Sequence, residues 1–186
     1  MKLSSTLERY LLSQQIIAPA LINVVLNGLI SWLVLRSAES IRYWEPSPIG
    51  PDLLLSGFLL PFITSMISSP LIARKVRAGG LERIPVAEFG PATWHRRSVL
   101  FRSLFLGALG VLLFALPTVL VLPLIWPEPL SLRVFVVFKA LWSATLAVLV
   151  CPVIAVWAIQ SESEGHRETA DAQVSERLRS PTDSTR

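Results

Sequence analysis

Hydrophobic and polar positions alternate along this chain in long blocks. Three uncharged, strongly apolar stretches stand out, Ile16–Leu35, Leu53–Ala73 and Ser103–Trp126, and a fourth, Val134–Ile159, holds one charge, Lys139. Each is long enough to cross ~30 Å of hydrocarbon, which takes about 20 residues as a helix. Lipid offers no partner to a bare backbone group, so helices are the expected form. Pro19, Pro61, Pro117, Pro123 and Pro152 fall inside these stretches. A membrane helix tolerates proline by kinking, whereas a soluble one would break. The pattern therefore predicts an all-α integral membrane protein with four transmembrane helices in a compact bundle.

Within each stretch, polar and small residues group on one side at 100° per residue. In span one these are Pro19, Ala20, Asn23, Asn27 and Ser31; in span two, Gly57, Pro61, Thr64, Ser65 and Ser68. Span three gathers Ser103, Gly107, Gly110, Pro117 and Thr118, and span four gathers Ala140, Ser143, Ala144, Ala147 and Cys151. Small residues allow close helix approach and buried hydroxyls or amides bond across it, so these faces are expected inside. The opposite Leu- and Val-rich faces are expected to meet lipid. Ser69-Pro70-Leu71-Ile72-Ala73 closes span two and Cys151-Pro152-Val153-Ile154-Ala155 closes span four. Two helical hairpins of one orientation would be a parallel repeat; proline near the end of a span is the alternative source of the likeness.

Composition agrees with the blocks. Of 186 residues, 52% are hydrophobic and 16% charged, against about 25% charged in soluble domains. That excludes a disordered chain, a disulfide scaffold and an ordinary soluble enzyme. Cys151 is the single cysteine, so no internal disulfide forms, and no Cys/His spacing suits zinc. No cofactor is implied.

Charge adds orientation. Thirteen of the 17 Lys and Arg lie before span one, between spans two and three, or after span four. Arg36, Arg42 and Arg133 lie on the other side. Cytoplasmic loops carry the excess of Lys and Arg, so both termini and the 74–102 loop are expected in the cytoplasm. Trp32, Trp44 and Trp126 then fall near the outer interface, Trp94 and Trp157 near the inner one, and Trp142 lies deeper. The first stretch is too long, and too polar at Asn23 and Asn27, for a cleaved signal peptide, and a retained anchor is expected. The pattern resembles small four-span proteins of bacterial inner membranes, which is an architecture and not an activity.

The connections and tail carry the remaining polarity. The outer turns, Trp44-Glu45-Pro46-Ser47-Pro48 and Trp126-Pro127-Glu128-Pro129, are short. The 92–102 segment is expected along the membrane surface. Arg74, Lys75, Arg77, Arg96 and Arg97 are candidate contacts for anionic lipid headgroups, each worth ~1 kcal/mol at a charged leaflet; alone, they are also the ordinary orientation signal. Basic clusters beside apolar spans argue against nucleic acid. Residues 160–186 hold six acidic and four basic residues and no aromatic. They are expected to form a polar cytoplasmic tail without fixed structure, with a weak helix around 170–178.

Four residues form the candidate intramembrane polar site. Lys139 is the one charge inside a span, about five residues or ~7.5 Å from its start, and can snorkel outward. Asp52, at the outer start of span two, is its expected counter-ion. Asn23 and Asn27, one turn apart, either coordinate a substrate or cation, or bond to Thr64, Ser68 or a carbonyl freed near Pro61. Gly107 and Gly110 are expected to be a packing contact. No span holds a carboxylate for proton relay, His95 and His166 lie outside the spans, and no catalytic motif appears. Two classes of function remain. One is a non-enzymatic membrane component acting through packing, lipid or a partner; the other is a small permease, working as a homo-oligomer, with a site near Asn23, Asn27 and Lys139.

Overall fold

The computed structural model describes residues 5–37, 41–42, 44, 49–81, 97–126 and 130–179. The candidate Arg96, Trp94, the outer-turn residues 45–48 and 127–129, and much of the 92–102 segment lie outside them. The described residues form helices α1 (Ser5–Tyr10), α2 (Ala18–Leu35), α3 (Ile49–Arg77), α4 (Val99–Gly110), α5 (Leu116–Ile125) and α6 (Leu132–Arg179). Two π-helical segments, Leu11–Ile17 and Val111–Ala115, join α1 to α2 and α4 to α5 without a break. Four helical stretches are long and apolar enough to cross a membrane: Leu7–Leu35, Ile49–Arg77, Val99–Ile125 and Leu132–Ser163. Each extends beyond its apolar core, because helical hydrogen bonding continues through the flanking polar turns.

Local chemistry sets the ends. Ser98 caps α4, its hydroxyl accepting from Phe101 N at 3.2 Å, and Ser131 does the same for α6 from Val134 N at 3.4 Å. These bonds satisfy amides that have no partner inside the helix. At the end of α3, Gly79 takes φ +74°, Gly79 N donates to Val76 O and Gly80 N to Lys75 O. That pair of bonds closes the last turn through a left-handed residue that glycine adopts without strain.

Both π segments stand just before a proline, Pro19 or Pro117, in the first turn of the next helix. Proline lacks an N–H and its ring crowds the carbonyl four residues back. A wider turn relieves that crowding. The consequence is a change of phase. Ser103, Gly107 and Gly110 are buried at helical spacing, and the line then resumes at Ala115, five residues on, and at Val119 and Leu122. Pro117, expected on the inner face of span three, is therefore exposed. The extra residue carries it past the seam.

Helix α6 sits in the middle. It packs along α2 on one side and α3 on another, while α4 packs on α3. Of the most apolar 18 residues of each span, 50% are buried in the fourth and 6% in the first. Helix α2 thus leans on α6 at the edge, and α3, which follows it in the chain, is not its main packing partner. To the bundle that the sequence suggests, this adds an order: α6 in the middle and α2 at the edge. It also alters the faces of span four. Ala140, Ser143, Ala144, Ala147 and Cys151 are buried as expected, and Val150, Leu146 and Trp142 widen the buried arc beyond Ser143. Its outward face narrows to the line of Val137, Leu141, Thr145 and Leu149, which are exposed.

Close approach is concentrated between α3 and α4. A Cβ on Gly110 would collide with the Gly57 carbonyl oxygen and stand 2.9 Å from Pro61 Cγ. A Cβ on Gly107 would stand 2.8 Å from Cε2 of Phe58. The two similar segments that close spans two and four share one burial pattern: Ser69, Ile72 and Ala73 match Cys151, Ile154 and Ala155 as buried positions.

At the end with the two short connections, here the loop end, Leu130 N donates to Ile41 O at 3.1 Å in an antiparallel bridge. Ile41 and Leu130 cap an apolar cluster with Leu53, Leu122 and Phe135. At the opposite, basic end, Leu7, Tyr10, Ile72, Val76, Ala158 and Ile159 form a second cluster that ties spans one, two and four. Helix α6 then runs on to Arg179, where the sequence suggested an unstructured tail. Its continuation is rich in strong helix formers (Glu, Ala, Gln, Arg), and extending an existing helix avoids the cost of a new nucleus. Residues 180–186 lie outside the described ones.

Candidate functional site

Asp52 lies in the first turn of α3, where the helix N-terminus favours a carboxylate. Ser56 follows one turn later on the same face. Opposite them, Lys139 is two turns into α6, 2% exposed. Its ammonium donates to Asp52 Oδ2, to Ser56 Oγ at 2.8 Å and to Asp52 O at 3.4 Å. An ammonium has three protons, and three acceptors from α3 surround it. The Trp142 ring, one turn along α6, has its centroid 6.0 Å from Nζ, at the outer limit of a cation–π contact. The two partners differ in surroundings: the Lys139 side chain is 3% exposed and that of Asp52 49%. The lysine does not snorkel to the surface; the aspartate comes to it.

Beside this pair, spans one and two stand apart and leave a recess of about 350 Å³. Asn27, Ser31, Asp52, Ser56 and Lys139 contribute its polar wall, and Phe135, Leu35 and Ile49 its apolar depth. Ile30, Val34 and Leu55 also line it and are exposed on the outside of the helices. The recess thus opens sideways between the two spans, near the loop end.

The asparagines behave differently from the expectation that they bond to span two. Asn23 Nδ2 donates to Pro19 O at 2.9 Å. Asn27 Nδ2 donates to Asn23 O at 3.3 Å and to Asn23 Oδ1 at 3.0 Å. Both stay within their own helix because span one faces α6, not α3. Pro19 and Asn23 thus form a ladder with Asn27, and Ser143 Oγ of α6 reaches Asn23 O at 3.4 Å. Of the four candidates, Lys139, Asp52 and Asn27 meet at the recess, and Asn23 does not line it. Ser31, Ser56 and Phe135 complete the recess. Ser31 is signalled by its place one turn after Asn27, while nothing in the sequence singles out Phe135.

The basic end carries the candidate headgroup contacts. Arg74, Lys75, Arg77 and Arg97 are exposed there. Two are tied to other elements: Lys75 Nζ donates to Gln14 Oε1 at 2.8 Å, and Arg77 Nε stands 3.4 Å from Glu162 Oε2. Arg97 lies over the Phe101 ring at 5.2 Å. Deeper, Arg102 is buried and donates to Trp157 O at 3.2 Å, a role beyond the orientation signal read from the sequence. Among the described residues no three His, Cys, Asp or Glu side chains converge as a metal site would require. The chain matches no protein-family model, no curated protein and no solved structure.

Proposed function

We propose that the chain is a multi-pass component of a bacterial inner membrane, with its termini and 74–102 loop in the cytoplasm. In this reading it is not an enzyme. It acts by holding the polar end of a lipid of the outer leaflet in the lateral recess. One observation carries the proposal: a recess with hydrogen-bonding groups on its inner wall and an apolar rim of Ile30, Val34 and Leu55. Its volume is at the lower end of small-molecule sites, ~300 Å³ and above, which suits a headgroup while the chains stay in the bilayer. The basic residues at the other end serve orientation and the anionic inner surface. A permease would need a polar path beyond Asn27, and there Ala140, Ser143 and Ala147 are buried in α6, with Ala140 against Gly28.

Native mass spectrometry from mild detergent tests the proposal. We expect lipid-mass adducts on the wild type, depleted by Val34→Trp, which fills the mouth, and retained by Leu124→Trp on the far outward face. Equal adduct retention in all three proteins would exclude the recess as the binding site.

A further inference from the structure

The two residues that would make this recess attractive to an anion have no donors left to offer. All three ammonium protons of Lys139 have acceptors within the protein, in Asp52 Oδ2, Asp52 O and Ser56 Oγ. The Asn27 amide directs Nδ2 to Asn23 O and Asn23 Oδ1, which accounts for both of its N–H bonds. What these side chains leave to the recess is the complement. Asp52 gives one oxygen to Lys139 and keeps a second, Oδ1, on a half-exposed carboxylate, and Asn27 keeps its carbonyl oxygen. The Lys139–Asp52 pair is neutral as a whole, but its negative member is the one turned outward.

We propose that the recess selects a membrane lipid with a primary ammonium headgroup, an ethanolamine-type phospholipid. Its N–H groups donate to Asp52 Oδ1 and Asn27 Oδ1. This rests on the reading of the recess as a lipid site and adds the chemistry that the site reads. A charge-assisted bond to a carboxylate in a low-dielectric setting is among the stronger hydrogen bonds. A quaternary choline head has no N–H to give, and a glycerol head gives only neutral hydroxyls next to a carboxylate that repels its own phosphate. Ile30, Val34 and Leu55 then meet the glycerol and first methylenes.

The test is competition in nanodiscs of equal parts phosphatidylethanolamine, phosphatidylcholine and phosphatidylglycerol, with retained lipid identified by native mass spectrometry. We expect the wild type to retain the ethanolamine lipid about tenfold over the other two, the ratio one such bond commands. Asp52→Asn should abolish the preference. Because Asp52→Asn also disturbs Lys139, two further variants are needed. Lys139→Met leaves the carboxylate in place and should keep or raise the preference, and Asn27→Leu should lower it. Dodecylamine added to the same discs should compete, and dodecanoate should not. Preferential retention of phosphatidylglycerol, or no preference with adducts still lost in Val34→Trp, overturns the ammonium assignment and leaves the recess as a lipid site. Binding of dodecylamine without any retained ethanolamine lipid overturns the lipid as occupant. Adducts indifferent to Val34→Trp overturn both readings together.

Discussion

Lys139 and Asp52 form an unequal pair: the ammonium is buried on α6, and the carboxylate that it donates to is half exposed on α3. Removing one partner of such a pair is not equivalent to removing the other. Without Asp52 a buried ammonium loses its counter-charge, a loss of about 3 kcal/mol in buried pairs. Without Lys139 the carboxylate still has access to the outside, and methionine refills the space. We expect Asp52→Ala to lower the thermal midpoint in detergent clearly more than Lys139→Met, and the double variant to recover toward Lys139→Met. Equal losses from the two single variants would contradict the assigned burial.

Gly110 faces the Gly57 carbonyl so closely that a methyl group has no place. Overpacking of this kind costs about 1–3 kcal/mol, and backbone cannot yield as a side-chain tip can. Gly110→Ala is expected to destabilise by that order. Gly28→Ala, whose Cβ would meet Ala140 Cβ at 3.4 Å, should be tolerated within about 0.5 kcal/mol. Thermal unfolding of both variants in one detergent gives the comparison.

The π segment in span three makes a distinctive demand on chain length. Gly110 and Ala115 share the buried line although five residues separate them. Deleting the exposed Leu113 restores a spacing of four, and Pro117→Ala removes the crowding that the wider turn relieves. We expect this combined variant to fold and keep the α3–α4 contact. Deleting Leu104, which is also exposed, should not be tolerated, since it rotates one part of the buried line by ~100° relative to the other. Expression and monodispersity in detergent distinguish the two deletions.

Much of this was legible beforehand. Long apolar runs, three of them charge-free and the fourth holding only Lys139, mark the four spans, because about 20 residues are needed to cross a bilayer. The inner face of span one follows from its polar positions, with Asn27 and Ser31 turned as their spacing implies. The meeting of Lys139 with Asp52 is legible as well, since no other acid lies at the start of a span near that depth. What was not legible depends on packing order or on irregular turns. Asn23 and Asn27 offered no sign that their neighbour is span four, because each polar face looks alike in one dimension. Pro117 misled because a constant 100° step does not survive a π turn. Helix α6 beyond residue 159 has no apolar face to announce it, and it is carried there by propensity and by the helix that precedes it.

Side assignment rests on the basic residues and has its own test. In a Cys151→Ala background, Ala78→Cys follows α3 at the basic end and Ser131→Cys precedes α6 at the loop end, and both positions are exposed. In intact cells a membrane-impermeant maleimide should label Ser131→Cys and not Ala78→Cys, and permeabilisation should expose both. The reverse pattern would invert the topology.

Photo-crosslinking at the mouth of the recess shows whether a lipid is held there. A photoreactive phenylalanine analogue replaces Leu55, which lines the recess, or, as the control, Leu124, which is 84% exposed and away from it. After extensive detergent washing, illumination and mass spectrometry, we expect a phospholipid attached at position 55 and none at position 124. Lipid attached equally at both positions, or at neither, would contradict a lipid held in the recess.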